Sequence, residues 1–358
     1  MIDVLFILKK RELISNNLED WNCTYSSTNS SGLYNSVLFV NNMLNKLGYF
    51  SNMVEVIDNN CIDREVAKYK PKVVIIEALW VVPEKFDILK KLHPKVQWMC
   101  RLHSEVPFLA VEGIAIDWLK KYKEKGLIIL ANSNRLIEAL DMFFGDKLKY
   151  APNYYQFTDM PPVAKPETDE INISCFGAIR PLKNQLIQAL AALQVADYNK
   201  KKLNFYINST RKEQNGEPVL RNIEALFQGT KHNVIKVPWL NHEDFLKVIN
   251  EKIEVGVQCS FTETFNIVTA DHINCNVPVV TSPEITFIPS FYHADPHDVN
   301  DIARKIQRAY TFNWYGQVFN KSNLINHNKL TENQWNEILK EFITIKENKR
   351  KSLSWWNR

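Results

Sequence analysis

Residues 254–281, EVGVQCSFTETFNIVTADHINCNVPVVT, read as strand, loop, helix and strand. Two short apolar runs, 254–259 and 277–281, flank a polar loop at 260–264 and a helix-period segment at 265–274. Strands that are apolar throughout are buried on both faces, which marks a parallel sheet covered by helices. Parallel strands need a helical crossover between them. In open sheets of this kind, ligands bind beyond the carboxyl ends of the strands.

The same alternation runs outward in both directions. Towards the C-terminal half, strands are predicted at 171–176, 203–207 and 233–237, with helices near 182–196, 217–228, 242–250 and 298–311. Towards the N-terminus, strands are predicted at 2–8, 52–57, 72–76, 96–102, 127–130 and 148–151, with helices at 34–47, 61–69, 84–92, 114–125 and 134–144. The stretch 152–169, PNYYQFTDMPPVAKPETD, breaks the pattern with four prolines and no period, and reads as a linker. The expected organisation is a first Rossmann-like domain at 1–152, a linker at 153–170 and a second Rossmann-like domain at 171–328. A final segment at 329–358 holds a helix near 331–347 and the aromatic, basic tail SLSWWNR.

Composition agrees with two ordinary domains. The chain has 358 residues, 45% hydrophobic and 23% charged, so each half has enough apolar material for its own core. No run approaches 18 apolar residues, and no membrane span is expected. The start, MIDVLFILKK, places its apolar run before its charges, the reverse of a signal peptide, and reads as a buried first strand. A cytoplasmic location is expected. The six cysteines (Cys23, Cys61, Cys100, Cys175, Cys259, Cys275) show no CxxC pair or metal-ligand spacing and read as reduced and structural. The net charge of +4 permits an anionic substrate or nucleic acid without demanding either.

Loops that follow strands are where chemistry is expected. GAIRPLKNQ (177–185) follows strand 171–176. Gly177 allows a tight turn, and Arg180 and Lys183 flank Pro181 at a helix start. Two cations beside a helix N-terminus suit a diphosphate, because free N–H groups and the helix dipole add to the charges. The alternative is two surface cations. In SFTETFNIVTAD (260–271), Glu263 is placed at the helix start and Asp271 eight residues on, on nearly the same face and roughly 12 Å along the axis. That is too far to share a proton or a metal, but suits two ends of one ligand. The alternatives are a capping carboxylate and a solvated helix residue. VPWLNHE (237–243) offers Trp239, or the backbone near Leu240, for a nucleobase; a core tryptophan is the alternative. TSPE (281–284) reads as an ordinary loop. In the first half, Ser31-Gly32 opens a helix where a ligand can approach the backbone, and His103 follows strand 96–102, where it can meet a hydroxyl or a proton. The two histidines of HADPH (293–297) lie in a proline-containing loop and read as structural.

Taken together these segments resemble retaining glycosyltransferases of the GT-B fold, the group that contains sucrose-phosphate synthases and many bacterial mannosyl- and glucosyltransferases. Their signature is a Glu, seven residues, a second acid, and shortly a small residue and PVV. Here it reads ETFNIVTAD and then HINCNVPVV, with Asp271 for the usual Glu, Asn266 where Gly is common and Asn276 for the small residue. The Arg…Lys pair of the group is matched by Arg180 and Lys183. SSGLYNSVLFVNNMLNKLGY (30–49) resembles the glycine loop and first helix, with Ser31-Gly32 for Gly-Gly. ANSNRLIEAL (131–140) and APNYYQ (151–156) resemble the close of the first domain.

The resemblance implies a metal-independent retaining transfer from a nucleotide-diphosphate sugar, most simply a UDP-sugar, with no cofactor. It implies that Arg180 and Lys183 neutralise the leaving diphosphate, Glu263 contacts the sugar, His103 orients it and Asp271 meets the ribose. Gly32, Gly177, Trp239, Leu240, Ser260, Phe265, Asn266, Ile267 and Val268 complete the implied donor site. Residues 75–113 also resemble uncharacterised glycosyltransferases of large tailed phages. That implies, as one acceptor, a hydroxymethylated base in viral DNA, and a host cytoplasm as the location; a saccharide or other small acceptor is the alternative. A dehydrogenase is disfavoured because no strand is followed by GxGxxG. A nucleotide-sugar epimerase of the same fold and a non-catalytic binding protein are the remaining rivals. Oligomeric state is not legible.

Overall fold

The computed structural model describes residues 2–10 and 32–343. Ser31, Cys23, the predicted helix beyond 343 and the tail at 352–358 lie outside the described residues. Two parallel sheets form. The first is built from β1 (Val4–Lys9), β2 (Ser51–Val56), β3 (Val73–Glu77), β4 (Gln97–Leu102), β5 (Ile128–Ala131) and β6 (Leu148–Tyr150), in the order β2-β1-β3-β4-β5-β6. The second is built from β7 (Glu170–Ser174), β8 (Lys202–Asn208), β9 (Asn233–Val237), β10 (Val255–Gln258) and β11 (Val279–Thr281), in the order β11-β10-β7-β8-β9. The strand order reverses between β1 and β3 in one sheet and between β7 and β10 in the other. Loops on either side of such a point diverge and leave a crevice.

Helices cover both faces. The first half has α1 (Gly32–Lys46), α2 (Ile62–Tyr69), α3 (Lys85–Leu92), α4 (Val106–Leu109), α5 (Ala115–Glu124) and α6 (Asn134–Phe144). The second has α7 (Gln185–Tyr198), α8 (Gly216–Phe227), α9 (His242–Lys252), α10 (Ile267–Asn274), α11 (Val299–Thr311) and α12 (Asn313–Lys340). The period-two rule is visible in β1: Leu5 and Ile7 join one core with Val74, Ile76, Trp98 and Cys100. Val4, Phe6 and Leu8 join another with Val73, Ile75 and Met99 on the opposite face. That second face is closed by α1 through Val37, Val40 and Leu44, and by α12 through Trp335, Ile338 and Leu339.

The last helix departs from the sequence reading. Residues 331–347 were expected to be helical, and α12 instead begins at Asn313 and ends at Lys340. Residues 313–330 contain Gly316 and five asparagines, which are poor helix formers. Tertiary contacts outweigh propensity here. Asn328 accepts a hydrogen bond from the Tyr155 N–H (3.0 Å) and donates to the Tyr155 carbonyl (2.7 Å), while Leu324 is buried in the second-domain core. α12 thus starts on the second domain and finishes on the first.

The proline-rich stretch has no regular structure over 151–168, yet it is fastened along its length. Trp335 Nε1 donates to the Pro152 carbonyl (2.9 Å), and the buried Arg101 guanidinium donates to Ala151 O (3.2 Å) and Asn153 Oδ1 (2.5 Å). The Thr158 N–H donates to Asn274 Oδ1 (3.0 Å), and Asn250 donates to Pro161 O (2.9 Å). Among the described residues no helix is long and apolar enough to cross a membrane. Cys100, Cys175, Cys259 and Cys275 are buried free thiols; burial pushes Cys175 and Cys275 up to about 12.

Candidate functional site

The two loops that flank the switch point of the second sheet are tied together. After β7 the chain turns at Gly177 (φ +118°), whose N–H donates to Asn208 Oδ1 at 2.8 Å. A side chain at this φ is strained, and a Cβ there would stand 3.7 Å from Lys183 Cε. Arg180 is extended, Pro181–Lys183 form one tight helical turn, and Asn184 (φ 59°) redirects the chain into α7. Asn184 Nδ2 donates to the Cys259 carbonyl (3.0 Å), and the Phe261 N–H donates to Leu182 O (3.0 Å). The β7 loop and the β10 loop therefore move as one unit.

That zipper brings the predicted clamp and the predicted acid together. The Lys183 ammonium donates directly to Glu263 Oε1, and Asn266 Nδ2 donates to the same oxygen at 3.2 Å. Burial opposes ionisation of Glu263. The charges of Lys183 and Arg180, with hydrogen bonds from Lys183 and Ser260, outweigh it and hold the carboxyl below its usual range. Arg180 pairs with Glu213 (3.2 Å), and its guanidinium lies 4.8 Å from the Phe108 ring of the first domain. Its Nε is buried without a hydrogen-bond partner. Thr262 Oγ1, Gln185 Oε1, Thr281 Oγ1 and Ser282 Oγ share that condition, on loops, a strand end or the first residue of α7 at the carboxyl edge of this sheet. Buried polar atoms without partners are uncommon, and several at one edge suit a polar ligand.

Glu263 lies three residues before Asn266, the N-cap of α10, so the loop sets its position and the helical rise used to place it does not apply. Asn266 sits in the left-handed region (φ 58°), and its side chain accepts from the Thr269 N–H at 3.0 Å. Gly32 at the start of α1 comes close to Ile267, the first residue of α10; a Cβ at Gly32 would stand 3.4 Å from Ile267 Cγ2. Asp271 is buried at the middle of α10. Its Oδ1 accepts from the Tyr155 hydroxyl (2.9 Å) and meets His242 Nε2 at 2.7 Å. The Phe265 side chain is buried against Phe287 and His327 at 5.0 and 5.2 Å between ring centres. Val268 and Leu240 pack on a small core beside α9. The Trp239 ring carries Arg211 at 4.7 Å, outside the Lys183–Glu263 cluster.

Across the cleft, His103 leaves β4 and meets Glu77 Oε2 through Nε2 at 2.5 Å. Burial, aided by the nearby Arg101 charge, lowers its pKa despite Glu77, so the imidazole is neutral at pH 7. The proton then sits on Nε2 towards Glu77, and Nδ1 faces Asn132 Nδ2 at 3.4 Å. The ring lines a cavity of about 130 Å³ with Lys9, Glu77, Trp80, Ser104 and Glu112. This cavity sits at the switch point of the first sheet, at the ends of β1, β3 and β4. A larger concavity of about 690 Å³ lies on the outer side of α8 and β9, around Arg221 and His232, away from both switch points.

Several residues of this site were not picked out by sequence. His242 lies in the quoted loop 237–243, where the reading rested on the Trp239 ring and the backbone near Leu240. Asn132, Arg135 and Thr264 join the two domains and carry no local signal; their partners are more than a hundred residues away. Among the described residues no group of three or more His, Cys, Asp or Glu stands together as a metal site. His297 contacts Asp295 (3.2 Å), and His293 contacts the Ile285 carbonyl (3.3 Å).

No protein-family model matches the chain, and no curated protein matches it in sequence. Solved structures do match in shape. A sucrose-phosphate synthase from Thermosynechococcus elongatus has a TM-score of 0.66 at 16% identity, over 95% of this chain and 98% of that one. A glycosyltransferase from Rickettsia africae has a TM-score of 0.62 at 13% identity, over 95% and 98%. A UDP-forming trehalose-phosphate synthase from Burkholderia xenovorans has a TM-score of 0.60 at 13% identity, over 80% and 78%. At these identities the likeness shows the fold: two parallel-sheet domains in the GT-B arrangement.

Proposed function

We propose that this chain is a glycosyltransferase that takes a sugar from a nucleotide-diphosphate donor, with the donor held at the switch point of the second sheet. One observation carries the reading: Lys183 and Arg180 converge on Glu263 there, on two loops zipped together. In this reading the diphosphate lies against Arg180, Lys183 and the N-terminus of α10. Charge that grows on the leaving diphosphate meets preplaced cations, which lowers the barrier to its departure. Glu263 is released from Lys183 as the phosphate takes the ammonium, and its carboxylate holds sugar hydroxyls. The ribose is served by the Asp271–His242 pair.

Retention of configuration and independence from metal are part of the proposal, as is a cytoplasmic location, where nucleotide sugars are at hand. The fold neighbours support a uridine donor: one synthase is UDP-forming, and S. aureus TarM was solved with UDP. For the acceptor we favour a saccharide or similar small hydroxyl compound at the cavity beside His103. Trp80 offers a flat apolar face, and Lys9, Ser104 and Glu112 give the cavity a polar lining. A hydroxymethylated base flipped from duplex DNA is the competing occupant and belongs in the same assay.

The test is a thermal-shift screen against UDP-, GDP- and ADP-sugars, followed by turnover with a saccharide panel and hydroxymethylated DNA. A nucleotide sugar at a hundred times its Kd should stabilise the fold by about 2.7 kcal/mol. Arg180→Ala and Glu263→Ala should each lower turnover at least a hundredfold while leaving the fold intact. Stabilisation by none of the donors, or wild-type turnover in both variants, would sink the reading. Conversion of the donor sugar without acceptor would move the assignment to an epimerase.

A further inference from the structure

Arg135 is the second residue of α6, in the first domain, yet its guanidinium ends in the second. Nη2 donates to the Glu263 carbonyl at 2.6 Å and to the Glu284 carbonyl at 3.1 Å. It also lies 3.0 Å from Glu284 Oε2 and 3.3 Å from Glu105 Oε1. Glu284 Oε2 in turn accepts the Glu263 N–H at 3.3 Å. Both backbone polar groups of residue 263 are therefore taken by this one ion pair. The next residue is held in the same direction: Asn132 Nδ2 donates to Thr264 Oγ1 (3.1 Å), which donates to the His103 carbonyl (3.3 Å). The backbone under Glu263 is anchored by first-domain side chains, while its carboxylate faces second-domain cations.

We propose that Arg135 is a positioning residue that sets the Glu263 carboxylate for the donor sugar only when the two domains are closed. This rests on the donor-site reading above. Opening the cleft removes the Arg135 and Asn132 contacts together, and residues 263 and 264 lose their cross-domain hydrogen bonds. The diphosphate clamp is different. Arg180 and Lys183 are held to the β10 loop from within the second domain, by Asn184 and by the Phe261–Leu182 hydrogen bond. A nucleotide diphosphate can therefore bind the open form, and recognition of the sugar waits for closure.

The distinguishing readout is the ratio of Kd for UDP-glucose to Kd for UDP, by calorimetry on the full chain. Should another nucleotide sugar give the largest thermal shift, that sugar and its diphosphate replace the pair. Arg135→Ala should leave UDP affinity within about threefold and raise the ratio at least tenfold. Arg135→Lys should follow Ala and not wild type, because the lysine ammonium ends one atom short of Nη2, the nitrogen that reaches both carbonyls. A contact that merely holds the domains together would weaken both ligands equally and leave the ratio unchanged; that result overturns the proposal. If Arg135→Ala does not fold by circular dichroism, Thr264→Val decides. It removes both hydrogen bonds at near-constant volume and should raise the ratio about threefold or more; an unchanged ratio overturns the proposal. Arg180→Ala separates the two ideas. If it weakens UDP while the Arg135 ratio stays at wild type, only the positioning role fails. If UDP binding ignores Arg180, the donor site itself fails.

Discussion

Two histidines beside Asp271 are driven in opposite directions by their surroundings, His242 on α9 upward and His272 on α10 downward. Asp271 is one methylene shorter than the glutamate usual in the group it resembles, and it is spanned by Tyr155 and His242. Burial opposes protonation of His242, but the Asp271 charge and hydrogen bond prevail and raise its pKa. A histidine paired with a buried carboxylate is thus what this site presents where a longer acid would reach out. The next residue, His272, is fully buried: Ser174 Oγ lies 2.7 Å from Nε2 and Val268 O 2.7 Å from Nδ1. A Cβ on Gly256 would stand 2.5 Å from its ring, so glycine in β10 is a packing requirement. Burial lowers the His272 pKa from 6.5 to about 4. Between those values the unfolded chain binds a proton that the folded chain refuses. The stability this neutral ring contributes is complete above pH 6.5 and lost as pH falls towards 4, by about 2 kcal/mol between pH 7 and 5. Urea unfolding at pH 7 and pH 5 should show a smaller drop for His272→Gln than for wild type. Equal drops would place the acid sensitivity elsewhere.

At the scale of elements, the start of α10 shows why asparagine stands where glycine is common. Residue 266 has φ 58°, a conformation that glycine adopts freely and asparagine tolerates better than other side chains. Asparagine adds a cap to Thr269 and a hydrogen bond to Gln258 at 3.0 Å. Asn266→Ala loses both the conformational tolerance and the cap, and should cost about 1–2 kcal/mol in urea unfolding. Asn266→Gly should cost less than half of that; parity between the two would show that φ is not the determinant.

Legibility followed the same division. Strands such as β3 (Val73–Glu77) fall within one residue of their predicted range, because a continuous apolar run has few other uses. The turn that carries Arg180 and Lys183 was legible as a local pattern, because Gly177 to Lys183 lie within one loop. The start of α12 was not, since its asparagines are stabilised by Tyr155, far away in sequence. Nor was the true setting of Glu263, which depends on Arg135 in the other domain.

Over the whole molecule, α12 joins the two cores. Leu324 is buried in the second domain, and Trp335 is buried against Phe6 in the first, ring centres 5.9 Å apart. Trp335 also packs 5.1 Å from the buried Arg101 guanidinium. Wild-type protein should therefore melt in one calorimetric transition. Trp335→Ala, expected to cost about 3–5 kcal/mol, should split that transition, with the first domain melting earlier. A single unchanged transition in the variant would show that α12 does not couple the domains.

The Phe6–Trp335 contact also bears on how the chain is made. The β1 face bearing Val4, Phe6 and Leu8 leaves the ribosome before the second domain, and its α12 cover follows that domain. Domains usually fold in order of synthesis. Here the first domain must hold a partly bare apolar sheet face while the entire second domain is translated. That interval, more than any weakness of the finished fold, is when a chaperone has surface to hold.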